Sequence, residues 1–294
     1  MIEQFLQVLQ VIAPVFLLAL AGYVWGRLKL NFDLEFVTRL AVNFSMPCLI
    51  FAVLVKVKID PNAFRDIALA ALAAYAALGL VLGVGLRAAG WRLRTFLVPG
   101  TFGNTGNIGL PVALFAYGES GLAFAIVVFA IMAILQFTVG VCVVAGTGRL
   151  LDVLKQPLVY GAVLGGLFAL ESWQVPAWAL NSLDLAGQIA IPAMLLTLGF
   201  SIANLSVSEV GRAMLFSLAK LAAAAAVAVA IAWAFGLQGA ARGSLVLQLI
   251  MPVAVTSYLL AERYRAQPES IAGAVVISTL LAAVAVPVAL AMLL

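Results

Sequence analysis

The sequence predicts an all-α integral membrane protein with ten transmembrane helices, arranged as two inverted five-helix repeats. The first observation is composition: of the 294 residues, 65% are hydrophobic and 10% are charged, which is outside the range of soluble domains. The second is a series of ten apolar segments separated by short loops, and the third is a set of prolines that recurs in both halves of the chain. A net charge of +4 from scattered basic residues does not indicate a nucleic-acid partner. We therefore expect the partner of most of the surface to be the lipid bilayer.

The ten spans follow from hydropathy, because about 20 apolar residues are needed to cross a bilayer as a helix. They are predicted at 5–26, 36–55, 64–86, 95–117, 120–147, 157–171, 178–203, 211–235, 242–264 and 268–293. No nucleotide-binding module lies between them, so ATP-driven transport would need a separate subunit. The first residues lack a basic segment, and a cleaved signal peptide is not expected.

The orientation follows from the distribution of Lys and Arg over the loops. With the N-terminus outside, the cytoplasmic loops contain 11 of the 16 basic residues and the outer loops contain 4. The remaining one, Lys220, lies inside span 8. Because cytoplasmic loops are enriched in Lys and Arg, we predict a multi-pass protein of the plasma membrane, in a bacterium the inner membrane, with both termini outside.

An internal repeat relates spans one to five to spans six to ten. Pro14 and Pro157 are 143 residues apart, Pro47 and Pro192 are 145 apart, and Pro111 and Pro252 are 141 apart. Each pair falls in spans n and n+5, which gives repeats at 1–147 and 148–294. Five spans per repeat is an odd number, so the halves are inverted in the membrane, as in many secondary transporters.

Span 4 contains the sequence Phe102-Gly-Asn-Thr-Gly-Asn-Ile-Gly-Leu-Pro-Val112. Glycine and proline disfavour a continuous helix, so we predict two half-helices joined by a polar break. Proline suits the first turn of a helix, and Pro111 is therefore expected to open the second half. The N–H groups of Val112 to Leu114 would then form an anion site. A glycine-rich packing kink is the alternative interpretation.

Span 9 is the predicted partner of span 4, because Pro252 lies in its middle with polar residues on nearby turns. We expect the two breaks to cross near the midplane, close to polar residues of span 2. The candidate substrate-binding residues are Asn104, Thr105, Gly106, Asn107, Gly109, Pro111, Val112, Asn43, Ser45, Gln248, Pro252, Val253 and Thr256.

Lys220 is the one ionisable residue well inside a span, and burial of a charge there is costly. Three interpretations remain open. In the first, the ammonium compensates the carbonyl ends of the first halves of spans 4 and 9. In the second, the amine titrates during transport and so takes part in coupling. In the third, the side chain snorkels to the inner surface.

The residue types that the sequence lacks reduce the number of functions that need to be considered. The chain has no histidine, no acid deep in a span and two cysteines in apolar segments. No metal site, disulfide or cofactor is expected, and a nucleophile with a base for an intramembrane enzyme is lacking. Sodium coupling normally needs carboxylates or several carbonyl oxygens, and proton coupling normally needs an acid. We therefore expect potential-driven anion flux, with a sodium- or proton-coupled symporter, a channel or a receptor as alternatives.

The run from Gly103 to Pro111 resembles the broken fourth helix of the auxin efflux carrier family, which includes plant PIN-type carriers and bacterial relatives labelled malonate or organic-acid transporters. Met251 to Tyr264 is similar to the ninth helix of that family, and Pro192 to Gly199 to its seventh. The long loop that follows span 5 in the plant carriers is absent here.

The resemblance implies a scaffold of spans 1, 2, 6 and 7 and a moving transport unit of spans 3–5 and 8–10, which is an elevator mechanism. It also implies Asn104 as a polar substrate contact. We therefore expect a secondary carrier that exports a small organic carboxylate, auxin-like or malonate-like, by alternating access. A homodimer is the expected assembly, and no enzymatic activity is expected.

Overall fold

The computed structural model describes residues 2–57, 60–145, 156–171, 173–205 and 209–293, and these residues form α-helices with three π-helical turns and no β-strand. In the first half the elements are α1 Ile2–Arg27, α2 Leu34–Arg39, a π-turn Leu40–Ser45, α3 Met46–Lys56, α4 Pro61–Ala88, α5 Leu93–Thr101, a π-turn Thr105–Gly109, α6 Leu110–Leu135, a π-turn Gln136–Gly140 and α7 Val141–Ala145. In the second half they are α8 Pro157–Leu170, α9 Ala177–Gly187, α10 Ala190–Asn204, α11 Val210–Ala234, α12 Gly239–Ile250, α13 Val255–Arg263 and α14 Pro268–Leu293.

Seven stretches of the described chain are long and apolar enough to span a membrane. The sequence predicts ten spans, and the two numbers differ because of three segments of the chain. Thr105–Ala145 counts as one stretch of 41 residues, although Gly118 interrupts α6 with a φ of 66° between predicted spans 4 and 5. Pro157–Ala169 is a shorter apolar helix, and predicted span 9 is divided into α12 and α13. The all-helical membrane fold is confirmed within the described residues, whereas the predicted boundary between the repeats, at 147 and 148, lies outside them.

Glycines allow close contact between helices in part of the molecule. α1 packs along α10, and α3 packs along α8 and α9. A Cβ atom on Gly199 would overlap the backbone of Ala19, and one on Gly161 would lie 2.7 Å from the carbonyl oxygen of Pro47. In lipid, small residues at such positions let helix backbones approach each other and gain van der Waals contact.

The other long helices pack against one another around the two interrupted spans. α12 packs on α6, α11 packs on α14 and α12, and α4 packs on α5, α6 and α11. The interrupted elements are therefore enclosed by longer helices. Irregular backbone is tolerated at membrane depth only where protein buries it or where it lines a cavity.

The breaks lie between α5 and the following π-turn, at residues 102–104, and between α12 and α13, at residues 251–254. The prediction that Pro111 opens the second half of span 4 is wrong, because helical structure resumes at Thr105. The pairing of Pro111 with Pro252 therefore does not mark equivalent points of the two breaks: Pro252 lies in its break, whereas Pro111 lies in the first turn of α6.

Candidate functional site

The two breaks contact each other through their backbones. Gly103 and Val253 form an isolated antiparallel β-bridge, and the N–H of Asn104 donates to the carbonyl oxygen of Pro252 at 2.7 Å. A Cβ atom on Gly103 would lie 2.8 Å from the carbonyl oxygen of Met251. Glycine at position 103 is therefore needed for the close approach of the two chains.

Asn104 starts the second half of span 4. Its Oδ1 accepts a hydrogen bond from the N–H of Asn107 at 3.3 Å, as an N-cap side chain does. The N–H groups of Ile108 and Gly109 both point to the carbonyl oxygen of Asn104, at 3.3 Å each. This wider π-type pattern lies just before Pro111, which has no N–H and would crowd the carbonyl group four residues earlier in a regular α-helix.

The early start of this helix changes which donors face the break. The predicted donors, Val112 to Leu114, lie within α6, and Val112 is fully buried. The first turn of the half-helix that follows the break is instead formed by residues 105–107, after the Asn104 cap. In span 9 the corresponding turn begins at Val255, whose N-cap residue Ala254 supplies no side-chain cap.

A cavity of about 110 Å³ lies beside the two breaks. Its polar wall consists of the carboxamides of Asn104, Asn107, Gln136 and Gln156 together with Thr256, and none of the lining side chains among the described residues is ionisable. Its apolar wall consists mainly of Met and Phe side chains. These apolar residues are Val42, Met46, Phe129, Met132, Ala133, Phe137, Leu158, Met194, Ala254 and Val255, with Gly103 and Gly106 completing the lining.

Each of the three π-helical turns contributes a residue to this cavity. Val42 comes from the turn Leu40–Ser45, Asn107 from Thr105–Gly109 and Gln136 from Gln136–Gly140. Single π-turns within α-helices often occur at functional sites, because the wider turn changes which side chains face a given direction. Their convergence identifies the cavity as the candidate site.

A second, larger cavity of about 570 Å³ adjoins the first and shares Val42, Asn107, Met194, Val255 and Thr256 with it. It lies between α2, α10 and α13 and extends to Leu34 and Asn204, which are the N-terminal end of α2 and the C-terminal end of α10. We call it the vestibule. An ion pair in its lining joins Arg39 to Glu35 at 2.5 Å, and both side chains are well exposed.

The structure brings only some of the predicted residues to the cavity. Asn104, Gly106, Asn107 and Thr256 line it. Asn43 is exposed and lies away from it, while the adjacent Val42 lines it. The remaining predicted residues are buried but do not line the cavity; they are Thr105, Gly109, Pro111, Val112, Ser45, Gln248, Pro252 and Val253.

Gln248 packs between helices rather than facing the cavity. It is fully buried, and its Nε2 lies 3.5 Å from the carbonyl oxygen of Ala125 in α6. A Cβ atom on Gly109 would overlap its carboxamide. One turn earlier, the Ser244 hydroxyl donates to the carbonyl oxygen of Gly121 at 3.0 Å. These two side chains therefore join α12 to α6.

Lys220 belongs to α11, and its side chain reaches the C-terminal end of α12. Its side chain is buried, with 2% exposure, and its Nζ donates to the carbonyl oxygen of Met251 at 2.5 Å. Met251 is the C-cap residue of α12, where backbone carbonyl groups carry partial negative charge. The ammonium therefore lies beside the carbonyl end of α12 and is not at an exposed surface.

Gln136 was missed by the sequence reasoning. It is 3% exposed, and its Nε2 donates to the hydroxyl of Thr256 at 3.3 Å across the cavity. A signal was present, since Gln136 is a carboxamide in the middle of apolar span 5. Within the described residues, no group of three or more His, Cys, Asp or Glu side chains is placed to hold a metal ion.

Two comparisons with known proteins show the kind of protein that this chain resembles. A family model described as membrane transport protein matches residues 7–153 and again residues 149–290. An uncharacterized transporter of Methanocaldococcus jannaschii is similar, with 27% identity over 201 residues. That alignment covers 64% of this chain and 64% of the relative, which is just under two thirds of the relative's length.

Proposed function

The chain belongs to the membrane transport protein family, and from this premise we propose that it is a secondary carrier of a small organic carboxylate anion. The family match confirms the resemblance to auxin efflux carriers and identifies a transporter rather than an enzyme. The substrate class, the mechanism and the direction of transport are the proposal.

One observation carries it: a cavity lined by four carboxamides lies where two interrupted membrane helices are joined by the hydrogen bond from Asn104 to Pro252. Half-helices that begin beside such a cavity direct N–H groups and about half a positive charge each toward it. Carboxamide N–H groups and helix starts together suit a carboxylate. Among the described residues no acidic side chain lines the cavity, which favours an anion over a cation.

The cavity also suits a substrate with both polar and apolar parts. Carboxamide groups are supplied by Asn104, Asn107 and Gln136, and apolar contact by Met and Phe side chains such as Met194 and Phe129. We propose that the carboxylate lies toward Asn104 and that the rest of the anion contacts the apolar wall. Auxin-like and malonate-like acids are the two candidate classes.

For the mechanism, we propose ten helices in two inverted repeats, with the breaks of spans 4 and 9 crossing near the midplane. Spans 1, 2, 6 and 7 would form the scaffold, and spans 3–5 and 8–10 the transport unit. The packing of α1 on α10 and of α3 on α8 supports the first group, and that of α6 on α12 and α4 on α11 supports the second. Movement of one group against the other would open the cavity to alternate sides.

The proposed setting is the plasma membrane, with both termini outside and a homodimer as the assembly. In this orientation the vestibule faces the cytoplasm, since α2 begins and α10 ends at the cytoplasmic side. An inside-negative potential of 100 mV contributes ~2.3 kcal/mol per charge and drives an anion outward. Export by uniport therefore needs no coupling ion.

The test is flux through the purified protein in proteoliposomes, with a panel of mono- and dicarboxylates. A carrier shows saturable uptake that is accelerated by unlabelled substrate on the opposite side, whereas a channel shows no such acceleration. Dependence of uptake on a sodium or proton gradient would replace uniport by symport. Binding without flux for every carboxylate that stabilises the protein would contradict the carrier proposal and indicate a receptor.

A further inference from the structure

The break in span 9 is held at three successive residues by three different spans. Lys220 of α11 donates to the carbonyl oxygen of Met251 at 2.5 Å. Asn104 of the other break donates its N–H to the carbonyl oxygen of Pro252 at 2.7 Å. The hydroxyl of Ser278, in α14, accepts the N–H of Val253 at 2.9 Å. The backbone between Met251 and Val253 is therefore fixed in position by its neighbours rather than by its own helix.

Lys220 and Asn104 bind the carbonyl groups of two successive residues of this break. The carbonyl group bound by Lys220 belongs to Met251, and the next carbonyl group along the chain is the one that binds the N–H of Asn104. The side chain of Asn104 in turn caps Asn107, and both line the 110 Å³ cavity. Lys220 does not line that cavity. The backbone of Met251 and Pro252 therefore connects Lys220 to a residue that lines the cavity.

We propose that Lys220 is a positioning residue that fixes Asn104 in its substrate-binding geometry through the carbonyl groups of Met251 and Pro252. The inference rests on the proposed function, because it assigns Asn104 to the carboxylate. In this role the ammonium keeps its charge and its bond to Met251 and makes no contact with the transported anion. The proposal thus selects one of the interpretations of Lys220 and extends it to the substrate site.

The surroundings of Lys220 suit a side chain that keeps its position and does not contact the substrate. A small hole of about 10 Å³ is lined by Lys220 together with Ser217, Met251, Pro252 and Ser278 among others, and no acidic side chain of the described residues lines it. The buried hydroxyl of Ser217 has no hydrogen-bond partner within the described residues. A hole of this size and polarity accommodates one water molecule, which would bridge Ser217 and the ammonium. It has no room for a substrate.

The first repeat contains a counterpart of Lys220 that lacks its charge. Tyr75 precedes Lys220 by 145 residues, the spacing that also separates Pro47 from Pro192. Tyr75 is buried in α4, and its ring lies 5.9 Å from that of Phe102, the C-cap residue of α5. Both side chains thus contact the end of the first half-helix of their own repeat. Of the two, only Lys220 donates a hydrogen bond to the break.

Hydrogen–deuterium exchange of the peptide that spans residues 102–107 tests the proposal without any substrate. In Lys220→Met the stem length is kept but the donor is lost, so exchange of this peptide should rise by about tenfold or more, as expected for one lost hydrogen bond to a charged group. Lys220→Arg should give a smaller rise, because the planar guanidinium fits a point-charge site incompletely. Lys56→Met is the matched control, since Lys56 pairs with Asp184 between α3 and α9, outside the breaks.

Substrate affinity provides the second measurement. Lys220→Met should raise the KM of the carboxylate found in the flux screen, and the effect should largely disappear in an Asn104→Ala background, because both changes act on the same contact. Unchanged exchange at 102–107 in a folded Lys220→Met or Lys220→Arg protein would overturn the proposal. Increased exchange in a protein that transports no carboxylate would leave the positioning role intact and refute the proposed function instead.

Discussion

The N–H of Asn104 donates to the carbonyl oxygen of Pro252 at 2.7 Å, and this bond joins the break after α5 to the break between α12 and α13. Backbone polar groups inside a bilayer need partners within the protein, and each break alone would leave several of them without one. By pairing with each other, the two breaks satisfy part of this requirement within the protein. The same pairing leaves the cavity beside them open for a ligand.

Gly103→Ala tests whether this close approach is essential. The added Cβ would lie 2.8 Å from the carbonyl oxygen of Met251 and 3.2 Å from that of Pro252, so the breaks must separate. We expect a lower melting temperature and a large loss of flux. Gly79→Ala is the control, since its Cβ would meet only Thr101 atoms at 3.7 and 3.8 Å. Wild-type flux in both variants would show that the contact between the breaks is dispensable.

Sequence reasoning located the interrupted helices because their cause is local. Glycine and proline weaken a helix wherever they occur, so the breaks of spans 4 and 9 were predictable from Gly103 and Pro252. The exact start of the second half-helix was not predictable, since it depends on the cap that Asn104 provides and on the π-turn before Pro111. Sequence alone does not reveal that a helix takes up a wider turn.

The same limit explains the errors at the site itself. In span 2 the π-turn Leu40–Ser45 places apolar Val42 at the cavity and leaves polar Asn43 exposed. Asn43 was the predicted binding residue because its side chain is polar, but the wider turn places its neighbour at the cavity instead. Gln136 was overlooked because it lies in a span without a glycine–proline break. Its role becomes visible only when span 5 is folded against Thr256.

Two substitutions of Asn104 separate its role as the cap of Asn107 from its role in the cavity wall. Asn104→Ala removes both the cavity amide and the cap of Asn107, and loss of such a cap costs about 1 kcal/mol of stability. Asn104→Asp keeps an acceptor for the cap but adds a negative charge to the cavity. We expect reduced carboxylate flux in the Ala variant and almost none in the more stable Asp variant. Melting temperature and flux at limiting substrate, measured together, check this; faster flux in Asp than in Ala would remove Asn104 from the carboxylate site.

Gln136→Leu should weaken substrate binding without unfolding the protein. The change keeps most of the side-chain volume but removes the bond to Thr256 and one carboxamide from the cavity wall. Loss of one such hydrogen bond corresponds to roughly a two- to tenfold change in affinity. Gln188→Leu, at an exposed position after α9, serves as the control. Equal KM values for the two variants would show that Gln136 has only a structural role.

The last prediction concerns the driving force. No carboxylate lines the cavity, and the one buried cation near the breaks, Lys220, is bound to Met251 within the described part of the chain. A fixed charge of this kind needs no coupling ion to balance the carbonyl groups around it. Replacement of sodium by choline on both sides of a proteoliposome should therefore leave the initial rate unchanged. An inside-positive potassium diffusion potential should accelerate uptake, because 100 mV corresponds to ~2.3 kcal/mol, or roughly a fifty-fold gradient, for a monovalent anion. If removal of sodium abolishes uptake, the charge of Lys220 alone is not sufficient for transport, and the carrier is a sodium symporter.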